Sequence, residues 1–310
     1  MPRTHKIVLL LLALGILAPL LTLGMDAIYP LFTRNDMVLH TERSLYRNIT
    51  VYENNGERCM RFSKNSNSFN RQTCISLQDP DSMVISYTKM MMAALYLLPA
   101  PDKILIIGLG GGTLPSALSK ILPNSEIDSV EIDPAVVRVA KKYFNFQTNS
   151  RMKVIEEDGR VFVKRAIKKG VKYDLIMLDA FDHQYIPEHL LTREFLDEVK
   201  QIMNPEGVLA ANTFSTSRLY DHESATYESV FGTFLNLKYQ NMVILIKRGA
   251  LPLKEAIRRN AAMLEAALRP FHVEADFLLP LFSTDRDWDV NAKILSDQYS
   301  PSNLLNDMKR

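Results

Sequence analysis

The sequence has few cysteines and histidines, the residues that hold zinc in proteins. It contains two cysteines and six histidines in 310 residues. None of these residues follows the spacing of a zinc site. We therefore expect no bound metal.

The sequence also lacks an excess of charge of either sign. Lysine and arginine number 37 and aspartate and glutamate 35, which gives a net charge of +2. This balance argues against a nucleic-acid partner, because such proteins carry basic surpluses. No internal repeat, low-complexity tract or long linker interrupts the chain. Its length is sufficient for one large or two smaller domains.

One long apolar run departs from this balance. Ile7–Leu23 follows three basic or titratable residues and, with its flanks, is long enough to cross a bilayer. We predict a membrane anchor or signal segment over residues 1–28. A cleaved signal peptide and a buried core helix remain alternatives, although no clear cleavage site follows the run. The basic residues before it favour an outward-facing domain, but Arg34, Arg43 and Arg47 oppose this bias, so the side of the membrane stays open.

Residues 29–98 are predicted to form a small β-domain followed by a connecting helix. Alternating apolar and polar residues predict strands at 44–53, 58–62 and 71–77, and helix formers predict a helix at Ser86–Leu98. Cys59 and Cys74 flank a polar stretch that is typical of a hairpin tip. They form a disulfide in an oxidising compartment or remain two thiols.

Residues 99–310 alternate between strand and helix patterns, which predicts a mostly parallel sheet covered on both faces. Asp133 and Pro134 have the residue types of a helix N-cap and first helical position. The predicted strands lie at 104–107, up to Glu131, 152–156, 173–178, 208–212 and 242–246, and the later helices at 160–168, 194–203 and 253–268. The fold class is therefore α/β, with a Rossmann-like sheet of the class I methyltransferase type preceded by the β-domain and one transmembrane segment.

A glycine turn follows the first of these strands. Gly108, Gly110 and Gly112 allow backbone N–H groups to approach a ligand at a helix N-terminus. Glu131 ends the next strand, roughly 20 residues on, where a carboxylate can accept hydrogen bonds from ribose hydroxyls. The turn therefore predicts a bound nucleoside.

Two more acids end successive strands, namely Asp158 and Asp179. The carboxyl ends of parallel strands meet at one edge of a sheet, so these acids are predicted to share the site with the turn. Thr113 takes the last glycine position of a dinucleotide motif, which weakens a nicotinamide interpretation. The series resembles S-adenosylmethionine-binding folds, in which Glu131 would hold the ribose and Asp158, followed by Gly159, the adenine amino group.

The resemblance extends beyond the fold to the spermidine synthase (polyamine aminopropyltransferase) family. It covers about residues 44–245, and the C-terminal segment 294–301 is similar to membrane-linked members of that family. The residues that carry it are Ser44–Ile49, Val130–Pro134, Glu157–Gly159, Tyr173-Asp174, Asp179 and Leu191–Phe195.

This resemblance implies a transferase that moves an aminopropyl group from decarboxylated S-adenosylmethionine to an amine such as putrescine, without a metal. Asp179 would align the amine and accept its proton, and Asp182, Tyr185 and Tyr87 would line the acceptor pocket. It also implies membrane attachment through the N-terminal segment and is compatible with a homodimer.

Three positions depart from the family pattern. Gly110 stands where the family has an aspartate, Arg47 where it has a glutamine, and Thr88-Lys89 where it has His-Glu or Gln-Glu after Tyr87. A donor site that gains Arg47 and lacks the aspartate at Gly110 suits a donor that keeps its carboxylate, because arginine pairs with carboxylates. S-adenosylmethionine-dependent methyl transfer is therefore an alternative, with Arg47 in the donor site. A non-catalytic nucleoside- or polyamine-binding protein and a nicotinamide enzyme are further alternatives.

Overall fold

A computed structural model of the chain describes residues 36–62, 71–181, 186–213 and 216–307. The apolar run predicted as a membrane anchor over residues 1–28 lies outside these ranges. Among the helices within them, none combines the length and the apolar character needed to cross a membrane.

The described strands form two sheets. Four make an antiparallel sheet in chain order and eight make a mixed sheet in the order β12-β10-β11-β9-β8-β5-β6-β7. The strands are β1 (Met37–Arg43), β2 (Asn48–Asn54), β3 (Glu57–Arg61), β4 (Arg71–Ser76), β5 (Lys103–Ile107), β6 (Glu126–Glu131), β7 (Met152–Glu156), β8 (Tyr173–Leu178), β9 (Met203–Thr213), β10 (Leu235–Lys238), β11 (Met242–Lys247) and β12 (Phe282–Ser283).

The described helices lie mainly between the strands of the large sheet. They are α1 (Ser86–Met92), α2 (Ala94–Leu97), α3 (Thr113–Ile121), α4 (Pro134–Tyr143), α5 (Gly159–Lys168), α6 (Arg193–Ile202), α7 (Leu219–Phe231), α8 (Lys254–Leu268), α9 (Ala275–Leu278) and α10 (Ser302–Asp307), with 3₁₀ turns at Glu188–Leu190, Arg269–Phe271 and Leu279–Leu281.

The small sheet differs from its prediction at its first strand. The predicted strand at 44–53 begins only at Asn48, because the Ser44 hydroxyl accepts hydrogen bonds from the amides of Tyr46 and Arg47 at 3.0 Å each and closes a turn. Strand β1, which precedes this turn, was not predicted. The other two predicted strands are confirmed as β3 and β4.

Cys59 and Cys74 lie directly opposite each other on β3 and β4 and form a disulfide. Both are buried beside Tyr52. Their carboxylate neighbour Glu57 completes the one group of three potential metal ligands found in the described residues. Since both sulfurs are bonded to each other, this group has no thiolate to offer a metal.

The large sheet confirms the predicted Rossmann-like core. Strands β7, β6, β5, β8 and β9 are parallel, and β11, β10 and β12 add an antiparallel edge. The chain builds outward from β5 through β6 and β7 and then returns to β8 on the other side. The carboxyl ends of β5 and β8 therefore form the topological switch point, which is where ligands bind in such sheets.

Two apolar layers cover the faces of this sheet. One contains the buried methionines Met90, Met91 and Met92 of α1 and side chains of α8, and the other contains side chains of α5, α6 and α7. A third cluster joins the small sheet to α4. Asp133 caps α4 as predicted, since its side chain accepts a hydrogen bond from the Ala135 amide at 2.9 Å.

Helix α7, which was not predicted, carries a buried acid. Glu223 is 1% exposed, and its Oε2 atom has no hydrogen-bond partner among the described residues. Burial raises the pKa of this carboxyl to about 8. The pKa in the folded state is thus above the ordinary value of 4.5, so folding becomes less favourable as the pH rises from about 4.5 through 8.

We expect Glu223→Gln to stabilise the protein by an amount that grows as the pH rises from about 4.5 to 8. The amide cannot ionise, so the free energy of unfolding should match the wild type near pH 4 and exceed it by about 2–5 kcal/mol at pH 9. Denaturant titrations at the two pH values measure this difference. Glu255→Gln, an exposed change on α8, is the control and should show no such pH dependence. A constant difference at both pH values would contradict the prediction.

Candidate active site

A cavity of about 350 Å³ opens at the switch point of the large sheet. Its walls come from the carboxyl ends of β5–β8, from α1 and from the small sheet. The charged groups that line it are four carboxylates and one guanidinium, together with a histidine: Glu131, Glu157, Asp158, Asp179, Arg47 and His189. The excess of carboxylates favours a cationic ligand.

The glycine turn forms the cavity wall after β5. Gly108 has φ of +99°, and a Cβ atom there would lie 2.1 Å from the carbonyl oxygen of Asp179. A Cβ atom at Gly112, whose φ is +80°, would lie 2.3 Å from the Phe146 ring. Gly110 also has a positive φ, of +53°, but its nearest neighbour would be 3.9 Å away. The first two positions require glycine for space, whereas the third leaves room for a side chain.

Glu131 lies at the carboxyl end of β6, beside the turn. Its two carboxylate oxygens accept hydrogen bonds from the amides of Leu109 at 3.1 Å and Asp133 at 3.0 Å. Burial raises the pKa of this carboxyl, while the two amides and the charge of Arg47 lower it. The side chain is therefore held in one orientation, and each oxygen keeps a lone pair for another donor.

Asp158 follows β7 and caps α5. Its Oδ1 atom accepts hydrogen bonds from the amides of Arg160 and Val161 at 2.9 and 3.0 Å, and its Oδ2 atom lies 2.8 Å from Nε2 of His189. The hydrogen bond from His189 is the main cause that lowers the pKa of this carboxyl. His189 belongs to the 3₁₀ turn Glu188–Leu190, which brings it into the cavity wall.

Asp179 follows β8 at the floor of the cavity. Its Oδ2 atom accepts a hydrogen bond from the Tyr87 hydroxyl at 3.1 Å, and its Oδ1 atom accepts one from Nδ2 of Asn212 at 3.0 Å. Burial raises the pKa of this carboxyl to about 7, against the lowering effect of both donors. Its proton affinity is therefore matched to neutral pH, as acid–base chemistry requires.

Arg47 forms part of the opposite wall. Its guanidinium stacks on the Phe62 ring with 4.2 Å to the ring centroid, and its charge acts on Glu131. Lys89, which follows Tyr87 and Thr88 on α1, lines a separate hollow beside Gly56 and Gln78. The positive charge that the sequence adds at Lys89 is therefore not part of the cavity lining.

The structure brings most of the predicted site residues to this cavity. The predicted residues that line it are Arg47, Tyr87, Gly108, Gly110, Glu131, Asp158, Gly159 and Asp179. Gly112 packs against Phe146 behind the turn instead. Asp182 and Tyr185 lie outside the described residues. Asn212 was missed as a site residue, and its place at the end of the strand beside Asp179 was the signal that could have identified it.

The fold and the cavity define a Rossmann-like protein whose ligand edge is rich in carboxylates. Comparison with known proteins then gives the family. The model of the spermine/spermidine synthase domain matches residues 83–246. A polyamine aminopropyltransferase of Vibrio vulnificus is 49% identical over 274 residues, which cover 86% of this chain and 91% of that protein. The chain therefore belongs to the spermine/spermidine synthase family, and the predicted membership of this transferase family is confirmed.

Solved structures show the same fold. A spermidine synthase in complex with the transition-state analogue AdoDATO has a TM-score of 0.60 at 20% identity, over 80% of this chain and 85% of that one. Human methyltransferase-like protein 13 in complex with SAH has a TM-score of 0.54 at 28% identity, over 71% of this chain and all of that one.

We expect Gly108→Ala to abolish nucleoside binding, because the methyl group would collide with the backbone of Asp179 and separate β5 from β8. Gly110→Ala is the matched control: it also replaces a glycine of positive φ, but its methyl group meets no close neighbour. Calorimetric titration with S-adenosylhomocysteine, together with thermal melts, measures both effects. Equal binding losses in the two variants would refute the packing argument.

Proposed function

We propose that the protein transfers an aminopropyl group from decarboxylated S-adenosylmethionine to a diamine such as putrescine. The observation that carries this proposal is the setting of Asp179, a carboxylate held between Tyr87 and Asn212 on the floor of a cavity with four acids. Both substrates are cations, and the excess of carboxylates suits them.

The donor's adenosine fits the residues at the ends of β5–β7. The close approach of Gly108 to the strand beside it leaves space only for backbone, as a nucleoside cradle requires. Glu131 offers its remaining lone pairs to the ribose hydroxyls, and Asp158 with Gly159 meets the adenine amino group. Gly110 and Arg47 flank the donor's tail, while Gly112 supports the turn from behind.

The reaction that this site would perform is a displacement at carbon. The amine nitrogen attacks the carbon beside the sulfonium, the carbon–sulfur bond breaks with its electron pair going to sulfur, and the nitrogen releases a proton. Asp179 would orient the amine and accept that proton, since it lies next to the Tyr87 hydroxyl and titrates near neutrality. Tyr87 would line the acceptor pocket, a role that the family resemblance also implies for Asp182 and Tyr185.

One observation favours methyl transfer from S-adenosylmethionine as a second candidate. The open space at Gly110 carries no acid to meet an aminopropyl tail, and Arg47 lies in the same cavity as a partner for a carboxylate. The likeness to the human methyltransferase-like protein at 28% identity supports the same candidate. The identity of 49% to the Vibrio enzyme over most of the chain supports aminopropyl transfer more strongly.

Incubation of the protein with each donor and a panel of di- and polyamines, followed by mass spectrometry, tests the proposal. We expect aminopropyl adducts with the decarboxylated donor. Asp179→Asn should reduce kcat by about 100- to 10,000-fold, because the amide cannot accept the proton. The same variant should keep its affinity for S-adenosylhomocysteine, which controls for folding. Methyl adducts from S-adenosylmethionine would favour the second candidate, and the absence of both products would refute enzymatic transfer.

The rate should also depend on the ionisation of Asp179. Because burial places the pKa of this carboxyl at about 7, kcat/KM should fall by a further roughly tenfold per pH unit below neutrality as the carboxylate becomes protonated, in addition to the loss caused by protonation of the amine. The amine titrates at higher pH and contributes a separate ionisation. Steady-state rates between pH 5 and 9 measure the acid limb, and a profile without this limb above pH 5 would show that Asp179 is not the proton acceptor.

A further inference from the structure

We propose that Asn212 and Asn241 form an amide relay that positions the Asp179 carboxylate, an inference that rests on the proposed function. Nδ2 of Asn212 donates to Oδ1 of Asp179 at 3.0 Å, and Nδ2 of Asn241 donates to Oδ1 of Asn212 at 3.3 Å. Both asparagines are positioning residues, because they act on Asp179 and not on the substrate. Asn212 acts directly and Asn241 acts through Asn212.

The strand register brings the two amides together. Asn212 is next to the last residue of β9 and pairs with Val243 of β11, while Asn241 precedes β11 in the hairpin from β10. The neighbouring pair Thr213 and Met242 is fixed by a hydrogen bond from the Thr213 hydroxyl to the Met242 carbonyl at 3.2 Å. The antiparallel edge of the sheet, which lies outside the parallel core, thereby reaches the switch point.

The chemistry of the relay determines its direction. An ionised carboxylate only accepts hydrogen bonds, so Asn212 must turn its NH₂ group toward Asp179. Its carbonyl oxygen then points the other way and requires a donor, which Asn241 supplies. Without Asn241, the Asn212 amide could rotate and present its oxygen to the carboxylate, which would disfavour the ionised form.

Neutral donors have an advantage over cationic ones at this position. The groups that act on the Asp179 carboxyl are the hydroxyl of Tyr87 on α1, the amide of Asn212 on β9 and the charge of Glu131 on β6. No cation is among them in the described part of the chain. A lysine or arginine there would neutralise Asp179 and repel the cationic diamine, whereas amides orient the carboxylate and leave its charge for the substrate.

Two substitutions at Asn241 distinguish this relay from a structural role. Asn241→Ala removes the donor, whereas Asn241→Asp offers only acceptors and forces the Asn212 NH₂ group to turn away from Asp179. We expect the acid limb of kcat/KM to move up by about 0.5 pH unit in the first variant and by about one pH unit in the second, which corresponds to the loss of one hydrogen bond to a carboxylate. Thermal melts confirm that both variants fold.

Gln240→Glu is the matched control, because it adds the same negative charge one residue away at an exposed position. The hydroxyl of Ser86 can keep its acceptor at 3.5 Å, since glutamate retains Oε1. In this variant the acid limb of kcat/KM should stay within about 0.2 pH unit of its wild-type position, as expected for a solvated charge. Equal movements in Gln240→Glu and Asn241→Asp would overturn the relay in favour of a charge effect.

A second measurement separates the relay from the proposed function. The ¹³C resonance of the Asp179 carboxyl, assigned by its loss in Asp179→Asn, reports the ionisation of this group without any turnover. We expect the midpoint of this titration to move up in both variants, by less in Asn241→Ala than in Asn241→Asp. An unchanged midpoint in both variants would overturn the relay, whereas absence of transfer products with a shifted midpoint would overturn only the proposed function.

Discussion

The site depends on the contact between two backbone segments, the turn after β5 and the end of β8. The Asp179 amide, after β8, donates to the carbonyl of Ile107, the last residue of β5, at 2.8 Å. On the other side of β5, the Gly108 amide donates to the Val130 carbonyl of β6, also at 2.8 Å. These bonds extend the parallel ladder one residue beyond the strands, so that Gly108 has no space for a side chain. The glycine turn and the proposed proton acceptor are thereby held against each other by backbone contacts.

The small sheet also contacts the glycine turn, through Thr73 of β4. A Cβ atom at Gly111 would lie 2.6 Å from the Thr73 side chain, and the Thr73 hydroxyl lies 3.2 Å from that of Thr113. Thr73 is adjacent to Cys74, whose disulfide ties β4 to β3. The packing of the small sheet therefore restrains the turn on the side opposite Asp179, and the cavity lies between two elements that are each covalently or sterically fixed.

The fold and the acids of the site could be predicted from sequence because both are properties of strand ends. Apolar runs that stop at a glycine or an acid mark the carboxyl edge of a parallel sheet, and Glu131, Asp158 and Asp179 were found in this way. Asn212 ends the predicted strand at 208–212, which indicates a place at the same edge of the sheet, but only the strand order of the folded sheet places it beside Asp179. The turn at Ser44 was missed because a serine hydroxyl competes with strand pairing without disturbing the alternating pattern.

The two ends of the cavity carry different information about the reaction. Around Asp179 the charges are arranged for a cationic acceptor in either transfer reaction, because aminopropyl and methyl transfer both require alignment of an amine. In the proposed site the donor's tail would lie beside Gly110 and Arg47, so it would meet no carboxylate at Gly110 and would share the cavity with a guanidinium. The net carboxylate charge of the lining nonetheless disfavours a donor that adds another carboxylate, since Arg47 already acts on Glu131. On electrostatic grounds the choice of donor therefore depends on whether Arg47 remains directed at Glu131 when the donor binds.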